Sequence, residues 1–115
     1  MDNKEFSKLL EKRTKEFAIT TIKLSSSLPN TSEGKVIKNQ ITKSGTSIGA
    51  NYREANRSRS KADFIINISI CASEASETAY WIEIISELNW VDNQKLLSIL
   101  TEANELLALF TSIGN

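Results

Sequence analysis

Histidine is absent from the 115 residues, cysteine and proline occur once each, and there are four glycines. Without an imidazole there is no Ser-His-Asp or Cys-His relay and no histidine-ligated metal site. The lone cysteine, Cys71, closes no intramolecular disulfide and supplies no cysteine-rich zinc site, so nothing points to an oxidising compartment. Few glycines and a single proline speak against an all-β fold built on tight turns. The first residues, MDNKEFSKLLEKRTKEF, lack the apolar stretch of a signal peptide. No window approaches the roughly 20 apolar residues that cross a bilayer. The best of them, Phe64–Ala72, is interrupted by Asn67 and Ser69. A cytoplasmic location without membrane contact is therefore expected. With 40% hydrophobic and 24% charged residues, the composition is that of a folded chain. The length suits one domain, residues 1–115.

A formal net charge of zero hides a division. Residues Met1–Lys61 carry thirteen Lys and Arg against six acids, a net +7, whereas Ala62–Asn115 carry Lys95 against eight acids, a net −7. One reading is a nucleic-acid surface on the basic half. The other, which accounts for both signs, is that the halves pack and neutralise each other within one chain or between copies.

Period and punctuation predict four helices, at about 3–27, 31–56, 61–88 and 92–112. In the first, Phe6, Leu9, Leu10, Phe17, Thr20, Thr21, Leu24 and Leu28 share a stripe. Arg13 falls inside it, which suggests pairing with an acid of the second half. Ser25–Asn30, containing Pro29, stops this helix. The second helix turns Ile37, Ile41, Ser44, Ile48, Tyr52 and Ala55 inward. Gly45 and Gly49 lie one turn apart on its edge. Each costs about 1 kcal/mol relative to alanine inside a helix, so the pair implies close approach of a neighbouring backbone. A phosphate loop is not indicated, since there is no G-x-x-x-x-G-K pattern and no preceding strand.

The third helix opens on the capping sequence Ser60-Lys61-Ala62-Asp63 and continues to Leu88, about 42 Å at 1.5 Å per residue. It has two apolar faces. One holds Phe64, Ile65, Ile68, Ala72, Ala75, Ala79 and Ile82, and the other holds Ile66, Ile70, Trp81, Ile84 and Leu88. A lone four-helix bundle needs one stripe per helix, so the second is assigned to an oligomer interface. Asp92 caps the fourth helix, whose stripe is Leu96, Ile99, Leu100, Ala103, Leu106, Leu107 and Phe110. Four amphipathic helices and short turns give an all-α, antiparallel up-down-up-down four-helix bundle.

Chemistry is sparse. Glu74, Glu77, Glu83 and Glu87 line a helix as carboxylates do in di-iron bundles, but the Glu-x-x-His pairs of such sites are missing. Cys71 reads as a small core residue. No catalytic residue, metal site or cofactor is expected. The distinctive stretch is Ser44–Phe64, SGTSIGANYREANRSRSKADF. Arg53, Arg57, Arg59 and Lys61 cluster where the second helix gives way to the third. They can cap helices and pair with acids such as Glu74 and Glu77. Alternatively they fork onto phosphates, with Asn51 and Tyr52 contacting or stacking on bases.

This stretch, followed by SEASETAYWIEII, resembles the bacterial four-helix-bundle proteins named after the 23S rRNA intervening sequence. The likeness is densest over Gly45–Ala55 and extends along nearly the whole chain. It implies a small cytoplasmic bundle that assembles as a ring, usually a homopentamer. A related group, the accessory proteins of diversity-generating retroelements, implies binding to a reverse transcriptase and to RNA or DNA. The resemblance supplies no catalytic residue. The expected function is a non-enzymatic homo-oligomeric scaffold that binds a protein partner; the alternative is a nucleic-acid adaptor acting through a basic ring surface.

Overall fold

Each helix begins at a side chain that accepts a hydrogen bond from an otherwise unpaired N–H. In the computed structural model, which describes residues 2–115, Asp2 accepts from the Glu5 N–H at 2.8 Å and Thr31 from Gly34 at 3.0 Å. Ser60 accepts from Asp63 at 3.1 Å and Asp92 from Gln94 at 3.4 Å. The helices are α1 (Asn3–Ser26), α2 (Ser32–Ala55), α3 (Lys61–Leu88) and α4 (Asn93–Gly114). Asn89, at φ 57°, ends α3 in the left-handed conformation that asparagine tolerates. The all-α bundle expected from the sequence is the architecture found. Its long axis of 44 Å matches the length of α3.

Consecutive helices pack along their lengths, α1 on α2, α2 on α3 and α3 on α4, while α1 and α4 touch only narrowly. Phe17, Leu24, Ile41, Ile48, Ile68, Ile82, Leu106 and Phe110 form the core. The open α1–α4 seam corrects the stripe expected for α1. Phe6, Leu9 and Thr20 are exposed, because they lie on the flank turned toward α4, which stands off. Thr14 is buried instead, facing α2. Arg13 bridges the seam as expected: its Nε and Nη2 donate to Glu102 at 2.7 and 2.6 Å, and Nη2 also reaches Glu105 at 3.0 Å. These hydrogen bonds, to Glu102 foremost, raise the Arg13 pKa above the ordinary arginine value.

The α1–α2 contact is made of small residues. The Thr14 and Thr21 hydroxyls donate to the carbonyls of Leu10 and Phe17, both at 2.9 Å, so each buried hydroxyl is satisfied within its own helix. Gly45 lies against Thr21 and Gly49 against Thr14. A β-carbon at Gly45 would stand 2.8 Å from the Thr21 Cβ, and one at Gly49 3.2 Å from the Thr14 Cβ. Both glycines are therefore close-packing residues, Gly45 the more crowded.

The buried face of α3 is rotated from its expected position. Cys71, Thr78 and Ile85 are fully buried, whereas Ile65 is exposed and Ala72 half-buried. The Thr78 hydroxyl is satisfied within the core, 2.9 Å from the Ser44 hydroxyl and 2.8 Å from the Glu74 carbonyl. One expectation about membranes also changes. Helix α4 is long and apolar enough, by length and composition, to cross a bilayer. The window was missed because its polar positions Ser98, Thr101 and Asn104 break up the apolar residues without adding charge, so the average stays high. In the bundle the helix turns Leu96, Ile99, Ala103, Leu106 and Phe110 into the core, and its Glu102 and Glu105 face Arg13.

Candidate functional site

The antiparallel arrangement brings the end of α2 and the start of α3 together at one end of the bundle, and with them Arg53, Arg57, Arg59 and Lys61. All four are exposed. The Arg53 Nε lies 3.7 Å from Glu11 Oε1 on α1. Among the described residues, Arg57, Arg59 and Lys61 form no ion pair. The proposed covering acids are too far along α3. Glu74 is thirteen residues beyond Lys61, about 20 Å at the helical rise, and its neighbours are Lys43, Ser47 and Glu77. Burial, followed by repulsion from Glu77, raises the Glu74 pKa. Glu77 accepts from the Trp81 Nε1–H at 3.2 Å.

The turn that carries these cations is pinned. The Ser58 hydroxyl donates to the Glu54 carbonyl at 3.3 Å and accepts from Asn67 Nδ2 at 3.3 Å. The C-terminal dipole of α2 favours Arg53 and Arg57, but the N-terminal dipole of α3 opposes Arg59 and Lys61. Helix capping accounts for half of the cluster only. The remainder is a fixed positive potential open to solvent.

The other two residues of the motif are placed differently. Asn51 is half-buried and donates from Nδ2 to the Ser47 carbonyl at 2.8 Å. Tyr52 is 2% exposed, its ring tilted 60° against Phe110 with centroids 5.4 Å apart. A ring held in the core does not stack on a base at the surface. Asn56 was not anticipated: its Nδ2 donates to Glu11 at 2.8 Å, tying the end of α2 to α1.

The second candidate is the outer face of α3. Ile66, Ile70 and Leu88 are exposed, Ile66 at 59%, and Tyr80, missed from the sequence, is 57% exposed beside them. Trp81 and Ile84 are half-buried flank residues that also lean on the core. By helical position Ile66, Ile70, Tyr80, Trp81, Ile84 and Leu88 lie within a single sector, broken in the middle by Ser73 and Glu77. This sector points away from Ile68, Ala75 and Ile82, so α3 is apolar on opposite sides.

Cys71 is fully buried and its thiol donates to the Ile48 carbonyl at 3.4 Å. Desolvation pushes its pKa up to about 12, so it rests as an unreactive thiol. No group of three or more potential metal ligands occurs among the described residues.

The family profile of the 23S rRNA-intervening sequence protein matches residues 9–112. The fold is also similar to a solved crystal structure, a protein of unknown function from the S23 ribosomal protein family of Bacteroides thetaiotaomicron VPI-5482. The two share 37% sequence identity and superpose with a TM-score of 0.85, covering 91% of this chain and 97% of the other. No curated protein matches the chain.

Proposed function

The chain belongs to the 23S rRNA-intervening sequence protein family, and on that premise we propose that it is a non-enzymatic, cytoplasmic scaffold that self-associates, as a homopentameric ring, and binds a protein partner. The observation that carries this reading is the exposed apolar sector of α3. Ile66, Ile70, Tyr80 and Leu88 give solvent a surface that a monomer gains nothing by exposing. Closing a ring requires a heterologous contact, in which one surface of a copy meets a different surface of the next. The division between a basic α1–α2 half and an acidic α3–α4 half supplies two unlike surfaces.

Light scattering on the whole protein tests this. The expected mass is that of five protomers, and the double variant Ile66→Glu with Ile70→Glu should fall to one protomer while remaining helical. A single-protomer mass for the unmodified protein refutes self-association.

A second reading, contact with RNA or DNA, is favoured by the unpaired state of Arg57, Arg59 and Lys61. Phosphate contacts would give little sequence preference and steep loss of affinity with salt. Titration of structured RNA and single-stranded DNA should show binding at low salt that is weakened when Arg57, Arg59 and Lys61 become alanine. Binding unchanged in that variant, or none at low salt, rejects this reading.

A further inference from the structure

The outer side of the α1–α2 pair carries a groove of about 330 Å³. Small residues line its middle: Ala18 on α1, and Thr46, Gly49 and Ala50 on α2. Gly49 lets α2 approach Thr14 closely, and its neighbours bear no more than a methyl or a hydroxyl, so a trench is left where ordinary side chains would fill the surface. On α1 the lining residues Lys15 and Ala18 are followed by Ile22. On α2 Thr46 and Ala50 are preceded by Lys43 and Val36. The spacings are helical, so the exposed Ile22 and Val36 prolong the same face.

Along the outer flank of α1, Lys8, Lys12, Lys15, Ile19 and Lys23 recur every three or four residues and form one row. The row is exposed, and none of its lysines is ion-paired among the described residues. The acids at the groove cancel little of it, since Glu11 holds Asn56 and Arg53 and leaves Glu54 at the rim.

The outer sector of α3 has the complementary character. Ile66 and Ile70 form one apolar group and Tyr80, Ile84 and Leu88 another; Glu77 stands between them, and Glu83 and Glu87 border the second. Helices α1 and α2 together hold ten Lys and Arg against five acids, whereas α3 holds one lysine against five acids. Two α3 sectors set face to face would bring these acids against their own copies, which like-charge repulsion opposes. Within one protomer the two surfaces do not meet: α1 and α3 share no contact among the described residues, and the sector points away from the core.

Resting on the self-association argued above, we propose that the α1–α2 groove is the receiving surface for the outer sector of α3 from a second copy of this chain. Apolar residues of the sector lie along the small-residue trench and Ile22, and Glu77, Glu83 and Glu87 meet the lysine row. Each copy then gives one contact and takes one, as a heterologous assembly requires.

Two complementary variants of the whole protein test this. Ala50→Trp, at an exposed position, blocks the groove and leaves α3 intact. Ile66→Glu with Ile70→Glu spoils the sector and leaves the groove intact. Light scattering should give each variant alone the mass of one protomer, with helicity unchanged. Isoleucine methyl groups are then labelled in the double variant, and unlabelled Ala50→Trp is added. The one remaining contact pairs the two chains, so the Ile19 and Ile22 methyls of the groove should shift, which also shows that Ala50→Trp is folded. Addition of unlabelled double variant should leave them unmoved. An assembled mass for Ala50→Trp equal to that of the unmodified protein overturns the proposal while self-association stands. Ile19 and Ile22 methyls indifferent to Ala50→Trp, in a protein that does assemble, leave the groove to another occupant and also overturn it. A single-protomer mass for the unmodified protein removes self-association itself, and the proposal with it.

Discussion

At Gly45 a methyl group would have to share space with the Thr21 methyl and hydroxyl, the hydroxyl oxygen standing 2.6 Å from it. Alanine is the better helix former by about 1 kcal/mol, but overpacking costs roughly 1–3 kcal/mol. Gly45→Ala should therefore destabilise the protein in chemical denaturation, and Gly49→Ala, where Thr14 need yield only a few tenths of an ångström, should do so less. Combining Gly45→Ala with Thr21→Ala should recover stability beyond the sum of the single changes, a coupling of about 1 kcal/mol or more. Zero coupling would show that the two do not press on each other. The glycines were legible in the sequence because their helical cost demanded a reason. Their partner Thr14 was not, since a threonine hydroxyl reads as solvent-facing until its bond to a carbonyl in its own helix is seen. Tyr52 misled for the opposite reason. Its place in a basic, surface-like motif said nothing of Phe110, which lies 58 residues away and holds the ring inside.

Among the elements, α2 and α4 were read correctly along their buried stripes because each has one apolar face and a neighbour that covers it. Helix α1 lost part of its expected stripe because the sequence does not say how far α4 stands from it. Helix α3 is the most instructive. Its two-sided apolar pattern was visible, but the buried side was set off by a fraction of a turn, since Cys71 and Thr78 are small and weigh little in a pattern of isoleucines. That rotation decides which residues suit a surface test. Ile84 is half-buried against the core, so glutamate there would disturb the protomer as well as any interface. Ile66 and Ile70 lie outside that contact and are the cleaner sites. The acidic row of α3 is likewise an element-scale feature: Glu74 faces α2 beside Lys43 and Ser47, three helical turns from the basic end, which leaves the cations there uncovered.

For the whole molecule, the two oppositely charged halves of the sequence become two faces, the α1–α2 face basic and the α3–α4 face acidic. Neutralisation inside the protomer occurs chiefly across the seam, where Arg13 meets Glu102 and Glu105; Arg53 pairs within its own half. Because α1 and α4 otherwise touch so little, the bundle is in effect a strip of four helices in series whose edges are fastened by one latch. A strip opens from its edges. In native-state hydrogen exchange, the amides of α1 should open with a lower free energy than those of α2 and α3, which are packed on both sides. Arg13→Met, keeping the apolar stem and removing the charge, should lower protection in α1 and α4 while the central pair changes little. Uniform loss across all four helices would mean that the bundle opens only as one body. With edges that detach first, the chain has a lowest-energy excited state of a definite shape, in which α2 and α3 stay paired and the underside of α1, with its threonines, meets water.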